Sequence, residues 1–422
     1  MKRSVVQLTV MLSLLAVATV ALAAGLPVTT PEQVGLSAER LGQIGKVLRE
    51  DVERGRISGA VILVARKGKV AYLEPVGYRD KAAGAPMTAD AIFRMASMTK
   101  PIVTVAALSL AEEGKLLLSD PVSKFIPALA NRQVGIEQKD PATGQTTLTL
   151  VPAEREMTIQ DLMRHTSGIT YGNRGTSQVH KMYPESSNWS SLNLTSAEFV
   201  ERLAKAPLLH QPGTTWDYSL STDVLGLVVE AVSGKPLGVF LDERIYKPLK
   251  MTDTAFVVPA EKRARIAQPL PVHPETGKPY VVPDPTVPRK FDCGGGCAVS
   301  TAGDYVRFAQ MLLNRGTLDG VRILGAKTVQ HMTSDHLGSI SRGPNYFTGI
   351  GYTWGLGVAV REDNGLAPTP GSAGDYYWPG AYATYFWVDP KEELVAISLL
   401  QAPFGRHYNQ LVRHLVLQAI VQ

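Results

Sequence analysis

Ser97-Met98-Thr99-Lys100 sets a hydroxyl and an amine three residues apart at the start of an apolar stretch, a spacing from which a serine can be made into a nucleophile. A serine hydroxyl attacks poorly at neutral pH unless a base lies within hydrogen-bond reach. Positions i and i+3 share one face of a helix, so the Lys100 amine can return to the Ser97 oxygen if burial suppresses its charge. Short motifs of this kind also arise by chance. The competing reading is an N-cap serine beside a solvated lysine. The flanks favour chemistry: Ala91 to Ala96 reads as an apolar strand or its exit, and Ile102 to Leu110 reads as a buried helix. Pro101 is compatible with that helix, because the first amides of a helix have no intrahelical partner to lose.

Two further segments carry candidate groups. In Pro212 to Leu220, Tyr218 precedes a helical pattern, and a phenol held there near the Lys100 ammonium would have its ionised form favoured, which suits a proton acceptor from Ser97. Otherwise Tyr218 is a half-buried anchor for its loop. Trp378-Pro379-Gly380-Ala381 lies just before an apolar run, Tyr382 to Val388, that reads as a strand. The proline argues for an edge strand, and the glycine lets a ligand approach the backbone closely. His165 and Asp217 are the other groups with catalytic potential. His165 lies at a helix end before Ser167-Gly168, where a structural role is expected, and the chain contains no G-x-S-x-G elbow of the Ser-His-Asp hydrolases. Asp217 is expected to brace its turn.

The elements that must position these residues form a consistent pattern. Ser37 caps a helix with Leu41, Ile44 and Leu48 on one face, and the β-rich runs Ala60 to Ala65 and Val70 to Leu73 flank Arg66-Lys67-Gly68-Lys69 as a hairpin. From Pro101 to about Leu249 the pattern is mostly helical, clearest at Thr158 to Met163, Ser196 to Leu203 and Thr222 to Val232. A proline-rich irregular stretch, Pro259 to Pro288, separates this from a helical Thr301 to Leu313. Strands follow around Trp354 to Arg361, Tyr382 to Val388 and Leu394 to Leu400, and a last helical stripe runs from Tyr408 to Ile420. Helices from both termini would then flank one antiparallel sheet.

A chain of 422 residues with a formal net charge of +5 suits one large domain or two intimately packed ones, and the mild charge gives no reason to expect a nucleic-acid partner. Lys2 and Arg3, the apolar run Leu8 to Val20 and the small-residue pattern Ala21-Leu22-Ala23 read as an export signal occupying residues 1–23. The alternative, an uncleaved anchor, would need a longer span. The chain is therefore expected in the periplasm or the medium, without stable membrane association after cleavage. Cys293 and Cys297, the only cysteines, bracket three glycines; export permits a disulfide and the glycines could let the chain bend back far enough, but so small a loop gains little entropy and can be strained, so a bridge and two free thiols both stay open. They cannot make a structural zinc site alone, and H-E-x-x-H is absent, so no metal site is expected.

Ser97-Met98-Thr99-Lys100, Tyr218-Ser219-Leu220 and Trp378-Pro379-Gly380, in this order and at this wide spacing, resemble the serine β-lactamase and penicillin-binding protein superfamily, in its class C-like branch and nearest the family VIII carboxylesterases. Tyr218-Ser219-Leu220 stands where class C enzymes usually have Y-x-N, and Trp378-Pro379-Gly380 where they have K-T-G, as the W-x-G of family VIII esterases does. Leu118 to Val122, His165 to Gly168 and Gly294 to Thr301 extend the likeness over most of the chain after residue 23. The resemblance implies an α+β, β-lactamase/transpeptidase-like fold. An antiparallel sheet flanked by helices (residues about 30–100 and 290–422) would sit beside a mainly helical part (about 101–289), with the active site between them.

The resemblance further implies an acyl-enzyme on Ser97, Lys100 and Tyr218 sharing the general-base work, and the amides of Ser97 and Ala381 meeting the oxyanion, with Trp378 and Gly380 lining the substrate site and no metal or organic cofactor. Two departures bear on the substrate. Trp378 cannot attract the carboxylate of a β-lactam or a D-Ala-D-Ala peptide as a lysine would, and Leu220 offers only apolar contact where an asparagine would bond an amide. Both favour a small-molecule carboxylic ester. The alternatives are a β-lactamase or D-Ala-D-Ala-type peptidase, with Arg342 or Arg406 supplying the missing charge, and a non-catalytic cell-wall-binding or sensor protein that keeps the fold without turnover.

Overall fold

Gly59–Arg66 (β1) is buried at all eight positions, so both faces of its sheet must be covered. Side chains alternate between faces along a strand. Val61, Leu63 and Ala65 enter one apolar cluster while Ala60, Ile62 and Val64 enter another. β1 continues through Lys67 and Gly68, both with positive φ, into Lys69–Asp80 (β2), the backbone that a two-residue hairpin turn demands. Ala85–Pro86 (β3) pairs with β2 at the edge. The remaining strands come from the far end of the chain: Tyr352–Trp354 (β4), Ala359–Arg361 (β5), Tyr376–Gly380 (β6), Thr384–Asp389 (β7) and Leu394–Leu400 (β8). Their order is β4-β5-β6-β7-β8-β1-β2-β3, antiparallel throughout. β1 pairs with β8 from Ala60↔Leu400 to Arg66↔Leu394.

The computed structural model describes residues 25–422, so the export signal read at residues 1–23 lies outside the described residues. Its five longest helices are Ala38–Glu53 (α1), Thr99–Glu112 (α2), Ser221–Ser233 (α3), Ala302–Leu313 (α4) and Gly405–Leu417 (α5). The Ser37 hydroxyl accepts the Arg40 amide at 3.3 Å and starts α1 as expected. Leu41, Ile44 and Leu48 of α1 and Tyr408, Val412 and Val416 of α5 share a cluster with Ile62 and Trp387, so the two terminal helices cover the same sheet face. The opposite face packs on Tyr305, Val306, Ala309 and Leu312 of α4. α2 is buried from Thr99 to Leu110, which accounts for apolar residues all round it. The layers are those of a β-lactamase/transpeptidase-like α+β fold.

One expectation fails between Pro101 and Leu249. Gln133–Lys139 and Thr146–Pro152 form a largely exposed hairpin with seven register pairs. Its second strand, Thr-Thr-Leu-Thr-Leu-Val-Pro, has the two-residue period of a strand and β-branched residues that a helix disfavours. The short helices Ile159–Met163 and Ser196–Lys205 are present, each started by a threonine that accepts the third helical amide.

The start of α4 has a pH consequence. The Asp304 carboxylate accepts the Asp253 amide at 2.7 Å and the Thr254 hydroxyl at 2.8 Å, yet burial pushes its pKa up to about 6. The folded protein therefore holds this proton more tightly than the unfolded chain. The stabilisation linked to it is complete below about pH 4 and is lost as pH rises to about 6. Denaturant unfolding of Asp304→Asn at pH 4, 5, 6 and 7 is expected to lack this part of the slope; an unchanged slope would assign it to another group.

Candidate active site

Strand Phe93–Arg94, paired with Val299–Ser300, delivers the chain to a single 3₁₀ turn, Ala96–Met98, that runs directly into α2. Ala96 has φ of 47°, a left-handed conformation that costs a non-glycine residue about 1 kcal/mol. The surroundings hold it there. The Thr99 hydroxyl donates to Ala96 O at 2.7 Å, Thr384 Oγ1 to Met95 O at 3.0 Å, and Tyr305 OH to Met98 O at 2.8 Å. Ser97 is thereby presented half-buried at a cavity wall.

One turn on, Lys100 is fully buried. Its Nζ donates to Ser97 Oγ and Tyr171 OH, each at 3.3 Å, and to Gly295 O, so all three ammonium protons have acceptors. The bonds continue in one direction, from Tyr171 OH to Ser187 Oγ at 3.1 Å and from Ser187 Oγ to Asp223 Oδ2 at 2.6 Å. Burial alone would push the Lys100 amine down, but the phenols of Tyr171 and Tyr218 and the Asp223 carboxyl outweigh it and hold the amine above its ordinary value. Suppression of the Lys100 charge by burial is thus corrected: the oxygen groups packed around the amine reverse it.

The glycine loop is part of this cradle. Gly295 gives its carbonyl to Lys100 and its amide to Asp223 Oδ1 at 2.9 Å, and a Cβ there would overlap Asp223 and Ser187. Cys293 and Cys297 close the loop with a disulfide, Cα–Cα 5.4 Å, a pairing that the sequence left open. The entropy argument concerned only the unfolded chain; in the folded protein, packing of the glycines against Thr222 and Asp223 already brings the two cysteines together.

Tyr218, in the loop before α3, lies 3% exposed with its ring centroid 4.6 Å from Lys100 Nζ. Trp378 Nε1 donates to its hydroxyl oxygen at 3.3 Å. His165 packs its ring 4.7 Å from Tyr218, and its Nδ1 accepts the Ser219 amide at 3.3 Å. Burial and the charges of Lys100 and Arg174 hold His165 well below its ordinary pKa, so it is neutral. It makes no bond to Ser97 and supports the Tyr218 loop. Asp217 accepts from Asn345 at 2.9 Å and its amide donates to His165 O, bracing the same turn.

Trp378, Pro379 and Gly380 precede a strand as expected, β7, but also belong to a strand of their own, β6. β5 pairs with β6 only at Tyr376 and Tyr377, so the strand is interior there and becomes an edge from Trp378 onward, where a proline loses no partner. A Cβ on Gly380 would overlap Met95 O and Thr384 Oγ1, so only glycine lets β6 close on the turn that carries Ser97. Trp378 is 1% exposed and faces Tyr218 as much as the cavity.

Ser97, Tyr218, Trp378, Gly380 and Ala381 line one cavity of about 650 Å³, with Phe347, Ile350 and Leu366 on its outer walls. A more open hollow of about 1150 Å³, between Ser196–Ala204 and Leu227–Pro236, contains none of the candidate residues. Leu220 does not line the active-site cavity; it is fully buried at the start of α3, which removes the substrate contact read into it. Arg342 pairs with Glu362 at 3.1 Å away from the cavity, whereas Arg406 lines it. The sequence reading missed Tyr171, Asp223 and Arg174. Asp223 had a signal, an acid among the apolar residues of Ser221–Ser233, but Tyr171 and Arg174 had none.

The model for the family described as Beta-lactamase matches residues 44–420. The chain belongs to this family. Among its beta-lactamase-family relatives, the Mycobacterium tuberculosis "Protein Rv1367c" is 38% identical over 84% of this chain and 88% of that one. "Esterase EstB" of Burkholderia gladioli is 32% identical over 85% and 90%. Among solved structures, "EstCE1, a hydrolase with promiscuous acyltransferase activity" superposes with a TM-score of 0.71 at 27% identity, covering 90% of this chain and 98% of that one.

Proposed function

We propose that this protein is a serine hydrolase that cleaves carboxylic esters through an acyl-enzyme on Ser97, in the manner of family VIII carboxylesterases. The observation that carries this is the Trp378 indole. At the third motif, where a cation would recognise a lactam or peptide carboxylate, it instead donates its N–H to Tyr218 and presents an apolar ring beside the nucleophile. The esterase relatives support the same reading. Lys100 and Tyr218 act as one base. The Lys100 ammonium donates to Ser97 Oγ, leaving the serine proton free to pass towards the Tyr218 oxygen, whose negative charge Lys100 and Trp378 stabilise. Ser97 Oγ bonds to the ester carbonyl carbon, and the oxyanion is met by the amides of Ser97 and Ala381. Tyr218 returns the proton to the departing alkoxide; water, giving its proton to the same pair, then releases the acid and restores Ser97. Export belongs to the proposal, and the Cys293–Cys297 bridge is of a kind that oxidising compartments sustain.

The test compares the purified protein with Ser97→Ala on a short-chain 4-nitrophenyl ester and on a chromogenic cephalosporin. Fast Ser97-dependent ester cleavage with slow or absent cephalosporin cleavage is expected. Dominant cephalosporin cleavage would favour the lactamase reading. A Ser97 adduct that never turns over would favour a sensor, and ester cleavage that survives Ser97→Ala would remove the nucleophile.

A further inference from the structure

The active-site cavity contains three guanidinium groups and no carboxylate among its lining residues. One of them, Arg413, is buried behind the wall and paired with Asp375, a carboxylate it shares with Arg361. Arg174 and Arg406 are exposed and have no ion-pair partner among the described residues. Arg174 is nonetheless placed: its guanidinium carbon lies 5.1 Å from the Tyr218 ring centroid and 4.9 Å from that of Phe347, so two aromatic faces hold the cation at the cavity wall with its N–H groups unspent. Arg406 lines the same cavity from the start of α5, where the preceding Gly405 lies against Gly380 and Ala383. A cavity walled by Phe347, Ile350 and Leu366 but bearing two unneutralised guanidiniums is complementary to an apolar group ending in an anion.

Resting on the esterase reading, we propose that the substrates are carboxylate-bearing esters, in which a short apolar spacer separates the scissile carbonyl from a carboxylate held by Arg174, with Arg406 adding positive charge to the same cavity. The spacer distinguishes them from lactams. The Trp378 indole and the Arg174 guanidinium both pack on Phe347, at 5.4 Å and 4.9 Å from its ring centroid, and only a carboxylate carried as far as Arg174 meets a charge. Guanidinium and carboxylate can pair through two parallel hydrogen bonds, and the partly enclosed setting screens that attraction less than open water does.

The experiment measures kcat/KM for two matched pairs at low salt. Mono-(4-nitrophenyl) glutarate is set against its neutral counterpart 4-nitrophenyl 5-methylhexanoate, which puts the carboxylate in the acyl half. 3-Carboxyphenyl butyrate is set against phenyl butyrate, which puts it in the alcohol half. At least a tenfold preference for the charged member of one pair is expected, shrinking with added salt. In Arg174→Met that ratio falls towards one, whatever loss the two esters share, and Arg174→Lys restores part of it. Which pair shows the effect assigns the carboxylate to its half of the ester. Absence of preference in both pairs, or a ratio unmoved by Arg174→Met, overturns the proposal while Ser97-dependent cleavage of the neutral esters leaves the esterase reading standing. If Arg174→Met slows charged and neutral esters equally, the residue acts on Tyr218 and not on substrate, and the proposal fails. Cleavage of no ester at all removes both.

Discussion

Lys100→Met is expected to lower kcat/KM for a 4-nitrophenyl ester by about 10²- to 10⁴-fold, the range spanned by loss of a positioned acid–base group. The methionine fills much of the same space but donates nothing. Ser97 Oγ loses its partner, Tyr218 loses the cation 4.6 Å from its ring, and Gly295 O and the Tyr171 hydroxyl lose a donor in a buried setting. The Asp223 carboxyl, already pushed up by burial, loses the charge that opposed that push, and it is expected to take up a proton in the variant. Tyr218→Phe should fall in the same range, and the double variant should lose little more than either single one, because groups that act as a unit do not add. Losses that multiply in the double variant would show two independent roles. Unfolding curves measured beside the kinetics separate lost chemistry from lost folding.

Asp375→Ala is expected to cost about 3–5 kcal/mol of stability, the penalty for leaving buried charge unpaired. Asp375, Arg361 and Arg413 are at most 1% exposed, and Asp375 Oδ2 accepts Arg361 Nε at 2.9 Å and an Nη of Arg413. The same guanidiniums bond Tyr352 OH at 2.6 Å, Tyr385 OH at 3.1 Å and Pro370 O at 3.1 Å. This cluster ties β5, the loop before β6 and α5 together behind the substrate cavity, so its loss should also raise KM. By contrast, breaking the exposed pair Lys205–Glu201, side chains 74% and 63% exposed, should leave denaturant midpoints unchanged. Guanidinium chloride unfolding of both variants checks the contrast; a destabilisation by Asp375→Ala below about 1 kcal/mol would mean water enters and solvates the arginines.

That Ser97, Lys100 and Tyr218 come together was legible in the chain because the arrangement shows in local features: a three-residue spacing at a helix start and a phenol just before another helix. Trp378 and Gly380 were legible as neighbours of Ser97 but not as members of a strand of their own, since whether β6 is an edge depends on how far β5 extends beside it. Leu220 shows the opposite failure. Its place in a motif suggested a substrate contact, and the direction of the α3 start turned it into the core. The hairpin Gln133–Pro152 escaped notice because its two-residue period is short and lies within a longer helical region.

Periodicity, caps and turn residues are short-range properties, and from them the chain alone determined the helices at both ends, the hairpin of β1 and β2 and the approach of the Lys100 amine to the Ser97 hydroxyl. The charge on Lys100 was decided only by the tertiary structure. Tyr171, Tyr218, Asp223 and Gly295 come from distant parts of the chain, and their combined field at one buried nitrogen, against the cost of burying it, has no counterpart in any local stretch of sequence. The same holds for the Arg174 guanidinium, which becomes part of a site only where Tyr218 and Phe347 meet beneath it.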